Sequence, residues 1–155
     1  MAVHTGDRAP GFRLPSEPGT EIDVAEHIGR EKVVLLFFPL AFSPVCTREM
    51  KTVGGTWAQW ERLGARVFGI SVDSPFVTRK FREEEGIPFP ILSDFNRAVA
   101  REYGVLHENL MGLEGVAKRA VFVIGTDGRV TYTWVSDEPG AEPDYDVVQR
   151  AAEEA

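Results

Sequence analysis

Two apolar segments of the chain are separated by a stretch that is apolar at helical spacing. Lys32–Phe38 is apolar after its first residue and rich in β-branched and aromatic side chains, and Arg66–Val72 is similarly apolar. Such runs are typical of strands buried on both faces of a sheet. Between them, Cys46–Leu63 has apolar residues at steps of three or four, which predicts a helix: Met50, Val53, Trp57, Trp60 and Leu63. We therefore predict a strand–helix–strand unit whose strands are parallel neighbours.

Glycine, proline and capping residues divide the rest of the chain into further elements. The Gly54-Gly55 pair predicts a bend in the first helix. Ser74-Pro75 predicts the start of a second helix, which runs to Glu85 before Gly86. The other predicted elements are a short helix at Asn96–Tyr103, a hairpin of Ala120–Ile124 and Arg129–Val135, an acidic helix from about Tyr145, and N-terminal strands near Phe12 and Ile22.

The order of these elements indicates an α/β (α+β) fold with a mixed central sheet flanked by helices, similar to the thioredoxin-like fold. No internal repeat with a period of roughly 20 to 50 residues is present, and no low-complexity stretch suggests a linker. We therefore expect a single domain over residues 1–155.

The charge of the chain disfavours two classes of partner. The 17 Lys and Arg residues against 24 Asp and Glu residues give a net charge of −7, which disfavours nucleic acid and anionic membrane lipid. No segment approaches the roughly 20 apolar residues of a membrane-spanning helix. The N-terminus lacks the apolar core of a secretory signal, so we expect a cytoplasmic protein. We expect no cofactor or metal, because zinc-ligand spacing and glycine-rich nucleotide motifs are both missing from the sequence.

The single cysteine stands where the first buried strand gives way to the predicted helix. Sites in open α/β sheets lie beyond the carboxyl ends of strands. With Ser43 capping the helix and Pro44 as its first residue, Cys46 is third in the first turn. Unpaired N–H groups and the helix dipole favour a thiolate there. The Ser43 hydroxyl can accept from the Cys46 N–H as a cap or donate to a bound ligand.

The residues before the cysteine are expected to form the walls of this site. Pro39 ends the strand, removes a backbone N–H and stiffens the chain. Phe38, Phe42 and Pro44 are expected to keep water out of a small pocket.

A negative and a positive side chain are predicted to accompany Cys46. Glu49 lies three residues further along the helix on the same side, and alone it would repel a thiolate. The strand Ala120–Ile124 is expected to run antiparallel beside Val33–Phe38, so that its start meets the end of that strand. Arg119 then lies near both groups, where it stabilises the thiolate while Glu49 orients the guanidinium.

The spacing Pro39-xxx-Ser43-xx-Cys46, with Glu49 behind it and Arg119 downstream, closely resembles the peroxiredoxin signature. Four further segments are similar to other parts of that family: Gly6–Phe12, Ser71–Pro75, Phe89–Asp94 and Lys118–Ile124. The segment around Pro39, with no second cysteine, is most similar to the one-cysteine alkyl hydroperoxide reductase E group. It is less similar to the bacterioferritin comigratory protein group.

The resemblance implies an antioxidant thiol peroxidase with Cys46 as its redox-active centre. The Cys46 thiolate would attack a hydroperoxide and become a sulfenic acid. Ser43, Arg119 and backbone N–H groups at the helix start would hold the peroxide oxygens. Glu49 would tether the arginine, and Pro39 would shield the sulfenate.

The resemblance and the cysteine count together imply two kinds of partner. A lone sulfenic acid cannot form an intrachain disulfide, so the reductant is an external thiol: a small thiol or a thioredoxin-like or glutaredoxin-like protein. Family members of this kind commonly form homodimers through loops around the active site. Phe42, Phe76 and Trp57 are candidates for that contact.

Other classes of function remain open. The chain could be a non-catalytic thioredoxin-fold module, or a peroxide sensor that signals through Cys46 without turnover. A disulfide oxidoreductase has less support because no Cys-x-x-Cys pair is present, and a cysteine hydrolase lacks a histidine base near the thiol. Taken singly, Cys46 could be a buried apolar residue, Ser43 only a cap and Arg119 only a surface cation.

Overall fold

The chain folds around a five-stranded sheet that is preceded by a two-stranded hairpin. The structure is a computed structural model and describes residues 2–155. Its strands are β1 (Arg13–Glu17), β2 (Thr20–Asp23), β3 (Lys32–Phe37), β4 (Ala65–Ser71), β5 (Ile91–Ser93), β6 (Arg119–Ile124) and β7 (Val130–Ser136). Its α-helices are α1 (Pro44–Gly55), α2 (Trp57–Arg62), α3 (Pro75–Glu85), α4 (Ala98–Tyr103) and α5 (Tyr145–Glu154).

The strands of the main sheet lie in the order β5-β4-β3-β6-β7. The pairs β3–β4 and β4–β5 are parallel, whereas β3–β6 and β6–β7 are antiparallel. This mixed sheet confirms the predicted thioredoxin-like α/β (α+β) fold and its parallel strand–helix–strand unit. Phe37 at the end of β3 lies opposite Ala120. Arg119 therefore lies at the start of β6, beside the carboxyl end of β3, from which the chain continues into α1.

Alternate residues around β3 contribute to two separate cores. The odd-numbered positions from Val33 to Phe37 pack with residues of α4. The even-numbered positions from Val34 to Phe38 pack with residues of α1, α2, α3 and α5. Because both faces of β3 are covered, the strand needs no polar alternation, which explains its continuous apolar sequence.

The helices are short, and the helix predicted at Cys46–Leu63 is divided into α1 and α2. The division follows the Gly54-Gly55 pair, where a bend was expected. Thr56 lies between the two helices with φ −114° and ψ 26°. Helix α1 has 12 residues, and no helix within residues 2–155 is long and apolar enough to cross a membrane.

Neither β5 nor the start of α4 follows from the sequence pattern. Strand β5 has only 3 residues, too few for a period to be visible. Helix α4 begins later than predicted, at Ala98, because Arg97 has a left-handed φ of 64°. The buried Asp94 carboxylate accepts from the N–H groups of Val99 and Ala100 at 3.1 and 2.7 Å, which fixes the first turn from outside the helix.

A side chain at Gly69 in β4 is expected to destabilise the fold. A Cβ there would meet Ile91 Cδ1 at 2.6 Å and Met50 Sδ at 3.2 Å. We predict that Gly69→Ala lowers the free energy of unfolding by about 1–3 kcal/mol through overpacking, as measured by urea denaturation. Gly55→Ala is the control, because a Cβ at Gly55 meets nothing within 4 Å. Equal losses in the two variants would contradict the prediction.

Candidate active site

Cys46 lies in the first turn of α1, just beyond the carboxyl end of β3. Helix α1 begins at Pro44, so Cys46 is its third residue, as predicted. The cysteine is a free thiol and is 1% exposed. Its sulfur is at the positive end of the helix dipole, an environment that favours negative charge.

Arg119 joins Cys46 to Glu49, as the antiparallel register of β3 and β6 predicted. Its Nη1 donates to Glu49 Oε1 at 2.7 Å, and its Nη2 donates to Cys46 Sγ at 3.2 Å. Glu49 is 0% exposed and Arg119 is 1% exposed. One guanidinium therefore holds a carboxyl group and a sulfur side by side in a place from which solvent is excluded.

The protonation of this group is governed by burial and by the arginine. Burial raises the pKa of Glu49 to about 7, although the charge of Arg119 and its hydrogen bond oppose the rise. Burial alone would lower the pKa of Arg119, but Coulombic attraction to Glu49 and Cys46 raises it above its ordinary value. Arg119 therefore stays charged, whereas Glu49 changes its protonation near neutral pH.

Ser43 precedes α1 as predicted, but it does not cap the helix. Its hydroxyl donates to the carbonyl of Leu40 at 2.9 Å and makes no bond to a helix N–H. The N–H groups of Val45 and Cys46 belong to the first turn, where no intrahelical acceptor exists. The missing cap leaves these N–H groups available to donate to a ligand. Ser43 Oγ, whose proton is donated to the Leu40 carbonyl, can accept a hydrogen bond from the same ligand.

Asp73 fixes the loop between β3 and α1, a role that the sequence reasoning missed. Its carboxylate accepts from the Ala41 N–H and from the Ser71 hydroxyl, each at 2.7 Å. The same loop contains Phe42, whose φ of 67° is rare for a residue with a side chain. Asp73 thus holds a strained loop just before the cysteine. The available signal was an acidic residue two positions after β4, whose end lies beside that of β3.

A small apolar pocket of about 230 Å³ leads to Cys46 and Arg119. Its walls include Pro39, Leu40, Leu110, Met111, Leu113 and Pro139. Pro39 and Pro44 line the pocket as predicted, but the two phenylalanines expected there do not. Phe38 belongs to the core, and Phe42 is 44% exposed. The walls that replace them come from distant parts of the chain, which local spacing cannot reveal.

None of the three histidines lines this pocket. His27 Nδ1 is hydrogen-bonded to Glu31 Oε2 at 2.6 Å. His107 is buried, and burial lowers its pKa. Within residues 2–155, no imidazole is therefore placed to act as a base on Cys46, which argues against a cysteine hydrolase.

Comparison with known proteins agrees with this geometry. The model of the AhpC/TSA family matches residues 5–133. Peroxiredoxin Bcp of Escherichia coli (strain K12) is 32% identical over 149 residues, covering 94% of this chain and 93% of that protein. The crystal structure of peroxidoxin BcpB from Mycobacterium tuberculosis is 31% identical with a TM-score of 0.85, covering 98% of this chain and 97% of the other. A peroxiredoxin-like protein from Aquifex aeolicus is 31% identical with a TM-score of 0.88, covering 99% and 88%.

The buried carboxyl group of Glu49 is expected to make stability depend on pH. Its pKa of about 7 in the folded protein lies above the ordinary 4.5, so the folded state binds this proton more tightly than the unfolded state does. The resulting stabilisation is complete below the ordinary pKa and is lost as the pH rises through the folded one. From about pH 4 to about pH 8, we predict that the free energy of unfolding of the wild type falls on the order of 3 kcal/mol further than that of Glu49→Gln.

Urea denaturation across this pH range measures the difference. Glu108→Gln, which removes an exposed carboxylate, is the control and is expected to follow the wild type. The same pH dependence in the wild type and in Glu49→Gln would contradict the prediction.

Proposed function

Because the chain belongs to the AhpC/TSA family and is a peroxiredoxin, a thiol-dependent peroxidase, we propose that it reduces hydrogen peroxide and organic hydroperoxides through Cys46 and an external thiol. The observation that carries the proposal is the buried contact of Cys46 Sγ with Arg119 Nη2 at 3.2 Å. Assignment to the one-cysteine type is supported by the single cysteine of the sequence. Two of the three relatives named above carry the name Bcp, and the closer likeness to the alkyl hydroperoxide reductase E group stays a prediction.

In the first half-reaction, the Cys46 thiolate attacks the terminal oxygen of a hydroperoxide. A sulfur–oxygen bond forms, and the peroxide bond breaks. Its electron pair leaves with the second oxygen, which takes up a proton to give water or an alcohol. The cysteine is oxidised to a sulfenic acid while the peroxide is reduced. Negative charge moves from sulfur to the departing oxygen, so donors near both positions stabilise the transition state.

Arg119 and the first turn of α1 supply such donors. Arg119 Nη2 lies beside the sulfur and can stabilise charge on the departing oxygen. The N–H groups of Val45 and Cys46 belong to residues that line the same pocket. The Ser43 hydroxyl donates to a carbonyl, so its oxygen can accept from the O–H of the peroxide and orient it.

Glu49 and Pro39 help the reaction indirectly, the first by orienting the arginine and the second by forming a wall of the pocket. Glu49 orients Arg119 through the bond to Nη1. Pro39 has no N–H and forms an apolar wall, which shields the sulfenic acid from water. The apolar walls also suit the carbon chain of an organic hydroperoxide, which supports substrates of that class beside hydrogen peroxide.

The second half-reaction needs a thiol from outside the chain. With one cysteine in the sequence, the sulfenic acid cannot form an intrachain disulfide. An external thiolate attacks the sulfenic sulfur, water leaves, and a second thiol reduces the mixed disulfide to restore Cys46. A small thiol or a thioredoxin-like or glutaredoxin-like protein suits this step. The cytoplasm, where thiols are kept reduced, is the compartment that we propose.

We assign the contact of a homodimer to exposed phenylalanines: Phe76 at the start of α3 and Phe95 in the loop after β5. Phe76 is 65% and Phe95 is 58% exposed, and both line one groove. Phe42 is also exposed, in the loop before α1. Trp57, the third candidate from the sequence, is half-buried with its ring centroid 5.6 Å from that of Phe89 and is therefore less available. Burial of the exposed rings between two copies supplies an apolar contact.

Fast oxidation of Cys46 that depends on Arg119 is the expected behaviour. In stopped-flow measurements with hydrogen peroxide, the wild type should react much faster than free cysteine. Cys46→Ser should show no fast phase, and Arg119→Ala should be slower by about 100-fold, because a donor to the developing charge is lost. Mass spectrometry after one equivalent of peroxide should find one added oxygen on Cys46.

Arg30→Ala, which removes an exposed arginine, is the control and should keep the wild-type rate. A wild-type rate near that of free cysteine would contradict peroxidase activity and favour a non-catalytic module. Fast oxidation without turnover in a panel of small-thiol, thioredoxin and glutaredoxin systems would favour a peroxide sensor.

Phe76→Arg is expected to shift a dimer towards monomer, because it places like charges in the proposed apolar contact. Sedimentation velocity of the reduced and oxidised protein measures the change. Glu154→Arg, an exposed change on α5, should leave the assembly as it is. A wild type that sediments as a monomer in both redox states, or a dimer that survives Phe76→Arg, would rule out this contact.

A further inference from the structure

Residues 137–144, between β7 and α5, form a strap over the buried arginine. Lys118 Nζ pairs with Asp137 Oδ1 at 2.6 Å at the start of the strap. Arg48 Nε pairs with Glu142 Oε2 at 2.9 Å near its end. The middle of the strap lines the pocket described above. Charged side chains therefore fasten the strap, while its backbone covers the site.

The backbone of the strap contacts the same nitrogen that contacts the sulfur. Arg119 Nη2 donates to the Pro139 carbonyl at 3.0 Å and to Cys46 Sγ at 3.2 Å. The carbonyl oxygen therefore helps to set the direction of the guanidinium edge that faces the cysteine. A displaced strap would take this acceptor away.

Glu142 fastens the strap to two helices. Its Oε2 accepts from Arg48 on α1, and its Oε1 accepts from the Tyr145 hydroxyl at 2.5 Å. Arg48 is adjacent to Glu49 in α1, and Tyr145 is the first residue of α5. Glu142 thus connects the strap with the helix that carries both Glu49 and the cysteine.

Glu142 also acts on the site through its charge. Burial is the main cause of the raised pKa of Glu49, and the negative charge of Glu142 raises it further. Burial would raise the pKa of Glu142 itself, but hydrogen bonds from Tyr145 and Arg48 lower it. Burial and the bond to Glu142 raise the pKa of Tyr145, so its hydroxyl keeps the proton that it donates. The positive charges of Arg48 and Arg119 also lower the pKa of Glu142.

We propose that Glu142 is a positioning residue for the Arg119–Glu49 pair, an inference that rests on the peroxidase function proposed above. Glu142 holds in place the strap whose carbonyl orients Arg119. It also keeps a negative charge near Glu49, which shares the arginine with Cys46. Its action on the peroxide is indirect, through the guanidinium.

Glu142→Gln tests this role, because it removes the charge and keeps the size of the side chain. A ¹³C NMR titration of the Glu49 carboxyl should show its midpoint at a lower pH than in the wild type, since a neighbouring negative charge is gone. Stopped-flow oxidation of Cys46 by hydrogen peroxide should be slower by about fivefold, because a partly exposed ion pair that holds the strap is lost.

Two further variants control this experiment. Glu138→Gln removes another carboxylate of the strap, one that is exposed and makes no ion pair among the described residues, and both readouts should stay at the wild-type values. Tyr145→Phe loosens the anchor without removing a charge. It should slow the oxidation and leave the Glu49 titration unchanged. Thermal unfolding of each variant verifies that the fold is retained.

A Glu142→Gln protein that matches Glu138→Gln in both readouts would overturn the proposal. When the wild type reacts faster than free cysteine, a Glu142→Gln protein that changes only one of the two readouts would also overturn it, because the proposal gives Glu142 both the strap contact and the charge. If the wild type itself reacts no faster than free cysteine, the proposed peroxidase function fails. The Glu49 titration alone then decides whether Glu142 acts on the pair.

Discussion

The site depends on one buried guanidinium that has two neighbours competing for its charge. A charge removed from water needs partners of opposite sign. Arg119 meets Glu49 at 2.7 Å through one nitrogen and Cys46 at 3.2 Å through another. Two full negative charges beside a single positive one are unfavourable in a place without solvent. Because burial raises the pKa of Glu49 to about 7, the carboxyl group can take up a proton near neutral pH, and the arginine then remains with the sulfur.

The fold brings these groups together from three parts of the chain that are far apart in sequence. The end of β3 leads into α1 with Cys46 and Glu49, and the antiparallel β6 starts at the same edge with Arg119. The segment after β7 then closes over the arginine through the carbonyl of Pro139. The central strand is buried on both faces, so the framework that sets these distances is rigid. Asp73 extends that rigidity to the loop in front of the cysteine.

The strand–helix–strand unit, the third helical position of Cys46 and the approach of Arg119 were all predictable from the sequence. Each follows from a local pattern or from a general rule of strand connection. The hydrogen bond of Ser43 was not predictable, because its acceptor, the Leu40 carbonyl, is positioned only by the folded loop. The pocket walls around Met111 and the anchor at Glu142 depend on tertiary contacts between distant segments, and no spacing in the sequence marks them.

Helix α1 starts without a side-chain cap, and this has a consequence for the reductant. A missing cap weakens a helix start by about 0.5–2 kcal/mol, and weakly held termini are where local opening occurs. Cys46 is 1% exposed and lies in that turn, so a bulky thiol can reach its sulfur only if this turn opens locally. The absent cap thus has two effects. It leaves backbone donors free for a peroxide, and it makes local opening of the turn easier when a bulky thiol must reach the oxidised sulfur.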